Sequence, residues 1–258
     1  MGKNKLKKFD ELATFPHVFQ CSFRQSLEGS QLVNMAGEWH RFFGNTNPIT
    51  LELGCGHGDY TVGLARLYPQ RNFIGIDIKG ARMWHGAKQS KDEGMTNVAF
   101  LRTQIELLPQ FFLPNEVDEI WITFPDPQMK KATKRLTSTY FMQRYQQVVR
   151  PNGLIHLKTD SPFLYTYTAA MLQTNQYSML ADTQDLYSSS ADPTLETARA
   201  LQTHYEHQWL DRGMTIKYLC WTLQPKTEWV EPKIEIEKDT YRSYGRDYQT
   251  GKKADETK

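Results

Sequence analysis

Between Ile49 and Leu223 the hydrophobic pattern changes period repeatedly. ITLEL (Ile49–Leu53), NFIGIDI (72–78), NVAFL (97–101) and DEIWITF (118–124) are short apolar runs rich in β-branched and aromatic residues. Such runs, bounded by glycine, proline or polar residues, predict buried strands. Between them, YTVGLARLYP (60–69) and residues 81–93 space their apolar positions as a helix does. A short helical piece ends near Phe112. Residues 139–150 predict a helix with Phe141, Tyr145, Val148 and Val149 on one side. A strand at LIHLKTD (154–160), a helix at 163–173, a strand at 177–187, a helix at 195–209 and a last strand at 215–223 complete the pattern. Strands alternating with helices predict an α/β domain: a mostly parallel sheet with helices on both faces.

The flanks differ. Residues 1–25 are basic first (Lys3, Lys5, Lys7, Lys8), then aromatic at Phe15, Phe19 and Phe23. They read as an arm that packs aromatics on the core, which is compatible with touching nucleic acid. Residues 26–43 set Leu32, Met35, Trp39 and Phe42 at helical spacing. Beyond Leu223 the chain is polar, with seven acids and seven bases from Glu231 onward. This reads as an ordered bridge, with WVEPKIEI able to pair as a strand, running into a flexible tail. Ser188 to Ser190 reads as a loop. The organisation expected is an arm at 1–44, a catalytic domain at 45–225 and a partly disordered extension at 226–258.

Composition narrows the function. The 258 residues are 39% hydrophobic and 23% charged, with a net charge of only +2. A polyanionic partner must therefore be argued from local clusters. Cys21, Cys55 and Cys220 are an odd, scattered set without CxxC, which argues against disulfides and zinc knuckles. The histidines show no HxxxH spacing, so no metal is expected. No apolar run approaches the roughly 18–20 residues of a membrane span, and the charged N-terminus lacks a signal sequence's apolar stretch. A cytoplasmic protein without a membrane partner is expected; monomer and homodimer both stay open.

In such sheets ligands sit at the carboxyl ends of the strands. That rule gathers Gly54, Gly56, Gly58, Asp77, Gln104, Asp126 and Asp160 into one neighbourhood. Glycines two apart after a strand let backbone approach a cofactor closely. The GxGxG spacing disfavours a dinucleotide, and Glu52 just before it would repel a phosphate but suits a cation. S-adenosylmethionine, with an amino group, a sulfonium and no phosphate, fits; a purely structural turn is the alternative. Asp77, ending the second strand, can accept both ribose hydroxyls. Gln104 stands where an adenine contact is usual. Pro125 and Pro127 brace Asp126, and each proline should push the residue before it, Phe124 and Asp126, towards extended geometry. Lys130, Lys131, Lys134 and Arg135 follow with no acid among them. They read either as a face for a polyanion or as a solvated surface. Asp160 reads either as a ligand or as the cap of the next helix, which starts at Ser161-Pro162.

LELGCGHGDY and GIDI resemble class I S-adenosylmethionine-dependent methyltransferases. FPDPQMKKATKRL resembles the FPDPW-x-KKRHxKRRL signature of bacterial tRNA (guanine-N7-)-methyltransferases, the TrmB family. LKTD (157–160) and THYEHQWLDRG (203–213) match that family's later elements in order. The resemblance implies a Rossmann-like fold with a mostly parallel seven-stranded sheet and methylation of N7 of a guanosine in the tRNA variable loop. It assigns Glu52, Asp77, Gln104 and Asp126 to the cofactor, with Asp126 catalytic. It assigns Lys130, Asp160 and Thr203, His204, Tyr205 and Glu206 to the guanosine, and Lys131, Lys134 and Arg135 to RNA. Gln128 stands where the signature has Trp, and Ala132-Thr133 where it has Arg-His. A methyltransferase for small molecules or proteins, or a silent RNA-binding subunit on this fold, remain alternatives.

Overall fold

The structure, a computed structural model, describes residues 2–21, 35–188 and 192–240. Five parallel strands form its centre: β2 (Ile49–Leu53), β3 (Asn72–Asp77), β4 (Val98–Arg102), β5 (Val117–Thr123) and β6 (Val149–Thr159). The chain runs outward from β2 through β3 to β4, then returns to the other side of β2 for β5 and β6. That reversal opens a crevice between the ends of β2 and β5, where open α/β sheets place their ligands. β8 (Lys217–Leu223) inserts antiparallel between β6 and β7 (Met179–Thr183).

Successive strand residues point to opposite faces, and both faces are apolar. On β5, Ile120 and Ile122 enter one core with Leu51, Leu53, Ile155 and Leu157. Trp121, between them, enters the other with Tyr60, Phe73 and Phe100. The first core is covered by α5 (Thr139–Tyr145) and α6 (Pro162–Thr174), which bury Phe141, Tyr145, Leu164 and Met171. The second is covered by α3 (Asp59–Leu67) and α4 (Gly80–Asp92). Each large apolar side chain so buried contributes about 1.5–3 kcal/mol.

The N-terminal arm is part of the sheet. β1 (Val18–Gln20) pairs parallel with β4, an eighth strand beyond the seven expected. Phe19 packs edge-on against Trp39 and Phe42, at the short helix α2 (Trp39–Phe43). α1 (Gly2–Leu12) lies on α4, with Leu12 buried and the Trp84 indole donating to Glu11 (3.0 Å). Phe23, Leu32 and the first half of the helix expected at 26–43 lie outside the described residues, as do Ser189, Ser190 and the tail after Thr240; of the second half, only Trp39–Phe43 is helical.

Three boundaries move. α5 stops at Tyr145 because Val149 already pairs with Val117 in the sheet. The strand expected at 177–187 shortens to β7. The helix expected at 195–209 divides into α7 (Glu196–Ala200) and α8 (His204–Leu210), because Thr203 caps the second one. WVEPKIEI forms no strand; it docks without regular structure. Among the described residues no helix is long and apolar enough to cross a membrane.

Candidate active site

The glycine turn after β2 hangs from the neighbouring strand: Gly54 and Cys55 donate their N–H groups to Ile76 O (2.8 and 3.1 Å). Gly54, Gly56 and Gly58 have φ of +76°, +55° and +79°, in the left-handed region that glycine tolerates. Gly58 also faces Gly86 of α4. A Cβ on Gly86 would stand 2.6 Å from His57 O, and one on Gly58 2.8 Å from the Phe100 ring. The turn therefore seats backbone to backbone on α4, with Gly86 N donating to His57 O (2.7 Å).

Glu52 is buried beneath this turn. It accepts from Thr61 N (2.8 Å) and Thr61 Oγ1 (2.5 Å) in the first turn of α3, and from Thr123 Oγ1 (2.8 Å) at the end of β5. Burial raises its pKa to about 7, against the hydrogen bonds that favour the charged form. One carboxylate thus ties the glycine turn's helix to the strand that leads into Phe124. Asp77, at the end of β3, accepts from Gly56 N (3.0 Å) and Lys79 N (2.8 Å). Gln104 follows β4, and its carbonyl starts the turn Ile105–Gln110 by accepting from Leu107 N (3.0 Å). Beside it, the buried Thr103 hydroxyl has no hydrogen-bond partner among the described residues.

The loop after β5 departs from expectation at Phe124. Proline should have kept this residue extended, yet its φ is +47°. Phe124 N still continues the ladder by donating to Lys158 O (2.8 Å), and the ring packs edge-on against Tyr205. The chain must then turn within one residue, at a strain of order 1–3 kcal/mol. Asp126 is exposed, and its Oδ1 accepts from Gln128 N (3.0 Å). Lys130 and Lys131 are exposed, and Lys134 pairs with Glu106 (3.1 Å).

Arg135 corrects the expectation of a continuous outward basic run. It is 8% exposed and turned inward. Its guanidinium donates to Gln128 O and Met129 O and lies over Phe163 and Tyr167 (4.8 and 4.2 Å). A planar cation that closes a loop on carbonyls and rings is a staple for that loop. Leu136 then returns to the glycine turn, its Cδ1 3.9 Å from the position of a Cβ on Gly54. The loop therefore comes back beside the turn, leaving room for little more than a methyl group on Gly54.

Asp160 is fully buried, and Ser161, not Asp160, is the cap of α6, accepting from Leu164 N (2.9 Å). Thr203 and Glu206 also turn inward, which alters the role expected for them as guanosine ligands. They form a capping box at the start of α8. The buried Glu206 carboxylate pairs with Lys158 Nζ (2.9 Å) and accepts from Tyr187 OH (2.6 Å). Lys158 donates further to Ala198 O (2.6 Å) and Leu201 O (2.8 Å). Burial lowers its pKa to about 8, with Glu206 opposing the shift. These contacts fasten segment 193–206 across α3, where Leu201 would meet a Cβ on Gly63 at 2.8 Å. Tyr205 stays 39% exposed, its ring between Phe124 and Trp209. His204's side chain lies outside the described residues.

Sequence reasoning missed Lys158, Thr61, Thr123 and Leu136. For Lys158 there was a signal: a lone lysine inside a buried strand needs a partner. Thr61 gave none.

Solved structures share this fold over much of the chain. The fold matches the 16S rRNA methyltransferase KamB over 73% of this chain and 94% of that one, with a TM-score of 0.56 at 18% identity. It matches an antibiotic-related methyltransferase over the same shares, with a TM-score of 0.54. Fold and glycine turn together define a class I methyltransferase. The family profile described as a putative methyltransferase matches residues 46–219. Two relatives named tRNA (guanine-N(7)-)-methyltransferase share most of their length with this chain. That of Bacteroides thetaiotaomicron is 54% identical over 252 residues, 97% of this chain and 98% of its own. That of Porphyromonas gingivalis is 56% identical over 91% of this chain and 96% of its own. The chain belongs to this methyltransferase family.

Proposed function

We propose that the protein transfers a methyl group from S-adenosylmethionine to N7 of a guanosine in the variable loop of tRNA, in the cytoplasm. The observation that carries this is the parallel pairing of β2 with β5, because the glycine turn and the Asp126 loop then leave the same edge of the sheet side by side. The family relationship over nearly the full length supports the same substrate.

The residues fit the cofactor. Glu52 is a carboxyl group kept from solvent, and in its charged form it suits an ammonium group. Asp77 is a carboxylate at a strand end, suited to ribose hydroxyls. The space beside Gly56 is open, with nothing nearer than Gly54 O at 3.9 Å from an added Cβ. Bound there, S-adenosylmethionine supplies a methyl group on an electrophilic sulfonium.

Guanine N7 carries an in-plane lone pair and no proton, so the chain need supply no general base. Its work is alignment. Asp126, exposed and braced by Pro125 and Pro127, accepts from the guanine N1–H and N2–H₂ edge, which excludes adenine. Its charge also stabilises the cation that develops on the ring. Asp160, expected as a second acceptor, is fully buried and stands back from the base, whereas Tyr205, 39% exposed, offers it a face. Lys130 meets O6 or a phosphate, while Lys131 and Lys134 meet the backbone. The target base must leave its stack to enter.

The test is nucleoside analysis of unmodified tRNA after incubation with protein and cofactor. The expected product is 7-methylguanosine at one position. A different methylated nucleoside, or none, overturns the proposal.

A further inference from the structure

Residues 226–240 have no regular secondary structure, yet they are tied along α5 and α6. Lys226 N donates to Gln146 Oε1 (2.9 Å). Val230 exchanges two hydrogen bonds with the Asn175 side chain (2.8 and 2.9 Å), and Trp229 lies against Tyr177. Two acids in this segment sit at particular places. Glu231 Oε1 accepts from Thr139 N (3.2 Å) and Thr139 Oγ1 (2.5 Å), and its Oε2 accepts from Tyr167 OH (2.7 Å). Asp239, 9% exposed, accepts from the Ser161 hydroxyl and from Phe163 N (3.1 Å).

These partners border the substrate half of the site. Thr139 begins α5 directly after the 128–137 loop. Ser161 follows Asp160 directly. Phe163 and Tyr167 are the two rings that hold Arg135, the staple of the same loop. One stretch of α6 is therefore held by the two acids and in turn holds the loop that carries Lys130, Lys131 and Lys134. Carboxylates withdrawn from solvent, Asp239 fully and Glu231 in part, that each accept a backbone N–H and a hydroxyl are strong, directional tethers. All the contacts of Glu231 and Asp239 described above fall on α5, α6 and the cap between β6 and α6, away from the glycine turn.

We propose that the C-terminal segment is a strap, and that Glu231 and Asp239 are positioning residues for tRNA. Acting through Thr139, Tyr167 and Ser161, they set the geometry of the 128–137 loop and of Asp160. This rests on the tRNA reading given above.

The test compares the full chain with a Glu231→Gln/Asp239→Asn variant. Three assays are run: trypsin cleavage after Lys130, Lys131 and Lys134, calorimetry for the cofactor Kd, and steady-state kinetics for kcat and KM with tRNA. We expect faster loop cleavage, a tRNA KM raised on the order of tenfold and a cofactor Kd within about twofold. Unchanged cleavage with unchanged KM overturns the proposal. So does a cofactor Kd that weakens in step with KM, because the acids would then only hold the fold. If the double variant does not fold, Asp239→Asn and Tyr167→Phe singly must each still speed loop cleavage, and their failure to do so also overturns it. A wild-type chain that methylates no tRNA sinks the tRNA reading instead, while the cleavage assay still decides the strap.

Discussion

Glu52 and Asp126 are both strand-end carboxylates, but they are held in opposite ways. Glu52 is buried and takes three hydrogen bonds, two of them from Thr61, nine residues away. Asp77 beside it holds Gly56 across the two adjoining strands β2 and β3. The cofactor half is thus built from the sheet and its nearest turns. Asp126 is exposed, with only its own loop in hydrogen-bond contact described for it. That loop is fixed by parts far along the chain: Glu231, 92 residues beyond Thr139, and the rings of α6. The difference separates two tasks. A cofactor half made of ladder bonds keeps one shape, whereas a substrate half hung on tertiary tethers can adjust to a large folded RNA.

The sharpest way to break this comparison is Asp126→Ala. It should lower kcat by roughly 10²–10³ while Tm stays unchanged, read by methyl transfer and thermal melting. Near-normal turnover would mean that Asp126 is not the acid that meets the base.

Comparable in free energy is Lys158→Met. It leaves Glu206 buried without its cation and should cost about 3–5 kcal/mol, read by denaturant unfolding. A Lys158→Met/Glu206→Leu double variant should recover much of that loss. Stability unchanged in the single variant would show that segment 193–206 is held by something else.

The cofactor half can be probed by pH. The folded pKa of Glu52, about 7, lies above its ordinary 4.5. The folded state therefore holds its proton longer, and this group's contribution to stability falls as pH rises from 4.5 to about 7. Cofactor binding to the charged form runs the other way. Affinity should rise by up to about tenfold per pH unit below 7 and level off above it, and Glu52→Gln should flatten the profile. A wild-type profile already flat from pH 5 to 8 would remove Glu52 from the charge recognition.

The smallest effects separate neighbours in the basic loop. Lys134→Ala should weaken tRNA binding a few-fold, roughly, and reduce the salt slope by about one, with Tm unchanged. Arg135→Ala should instead lower Tm, because its contacts are carbonyls and rings of the protein. If both variants behave alike in salt titrations and melting curves, the division drawn inside this loop fails.

The sequence carried the frame of the molecule clearly. Uniform apolar runs such as VAFL (98–101) marked the central strands, since a run buried on both faces has few other places to go. The glycine turn, Asp77 and the Asp126 loop were legible because their chemistry is local. What escaped was decided by long-range contact. Phe124 takes a positive φ because its N–H stays on β6 while its ring meets Tyr205. Arg135 turns inward because Phe163 and Tyr167 stand opposite it, and nothing within KKATKRL says so. The chain breaks at Thr203 because its capping box with Glu206 is completed by Lys158 from another strand. The eighth strand, three residues long, is too short for any period to show.

The backbone contact between the glycine turn and α4 has a consequence for how this chain can vary. At Gly58 and Gly86 any side chain collides with the other segment's backbone or with the Phe100 ring. No compensating change at the partner position relieves this, because neither glycine has an atom to give up. In a library randomised at both sites, survivors should keep glycine at each, and a single alanine should act as a null allele. The two positions form a closed door in the protein's sequence space, while the polar segment that straps the opposite side leaves several open.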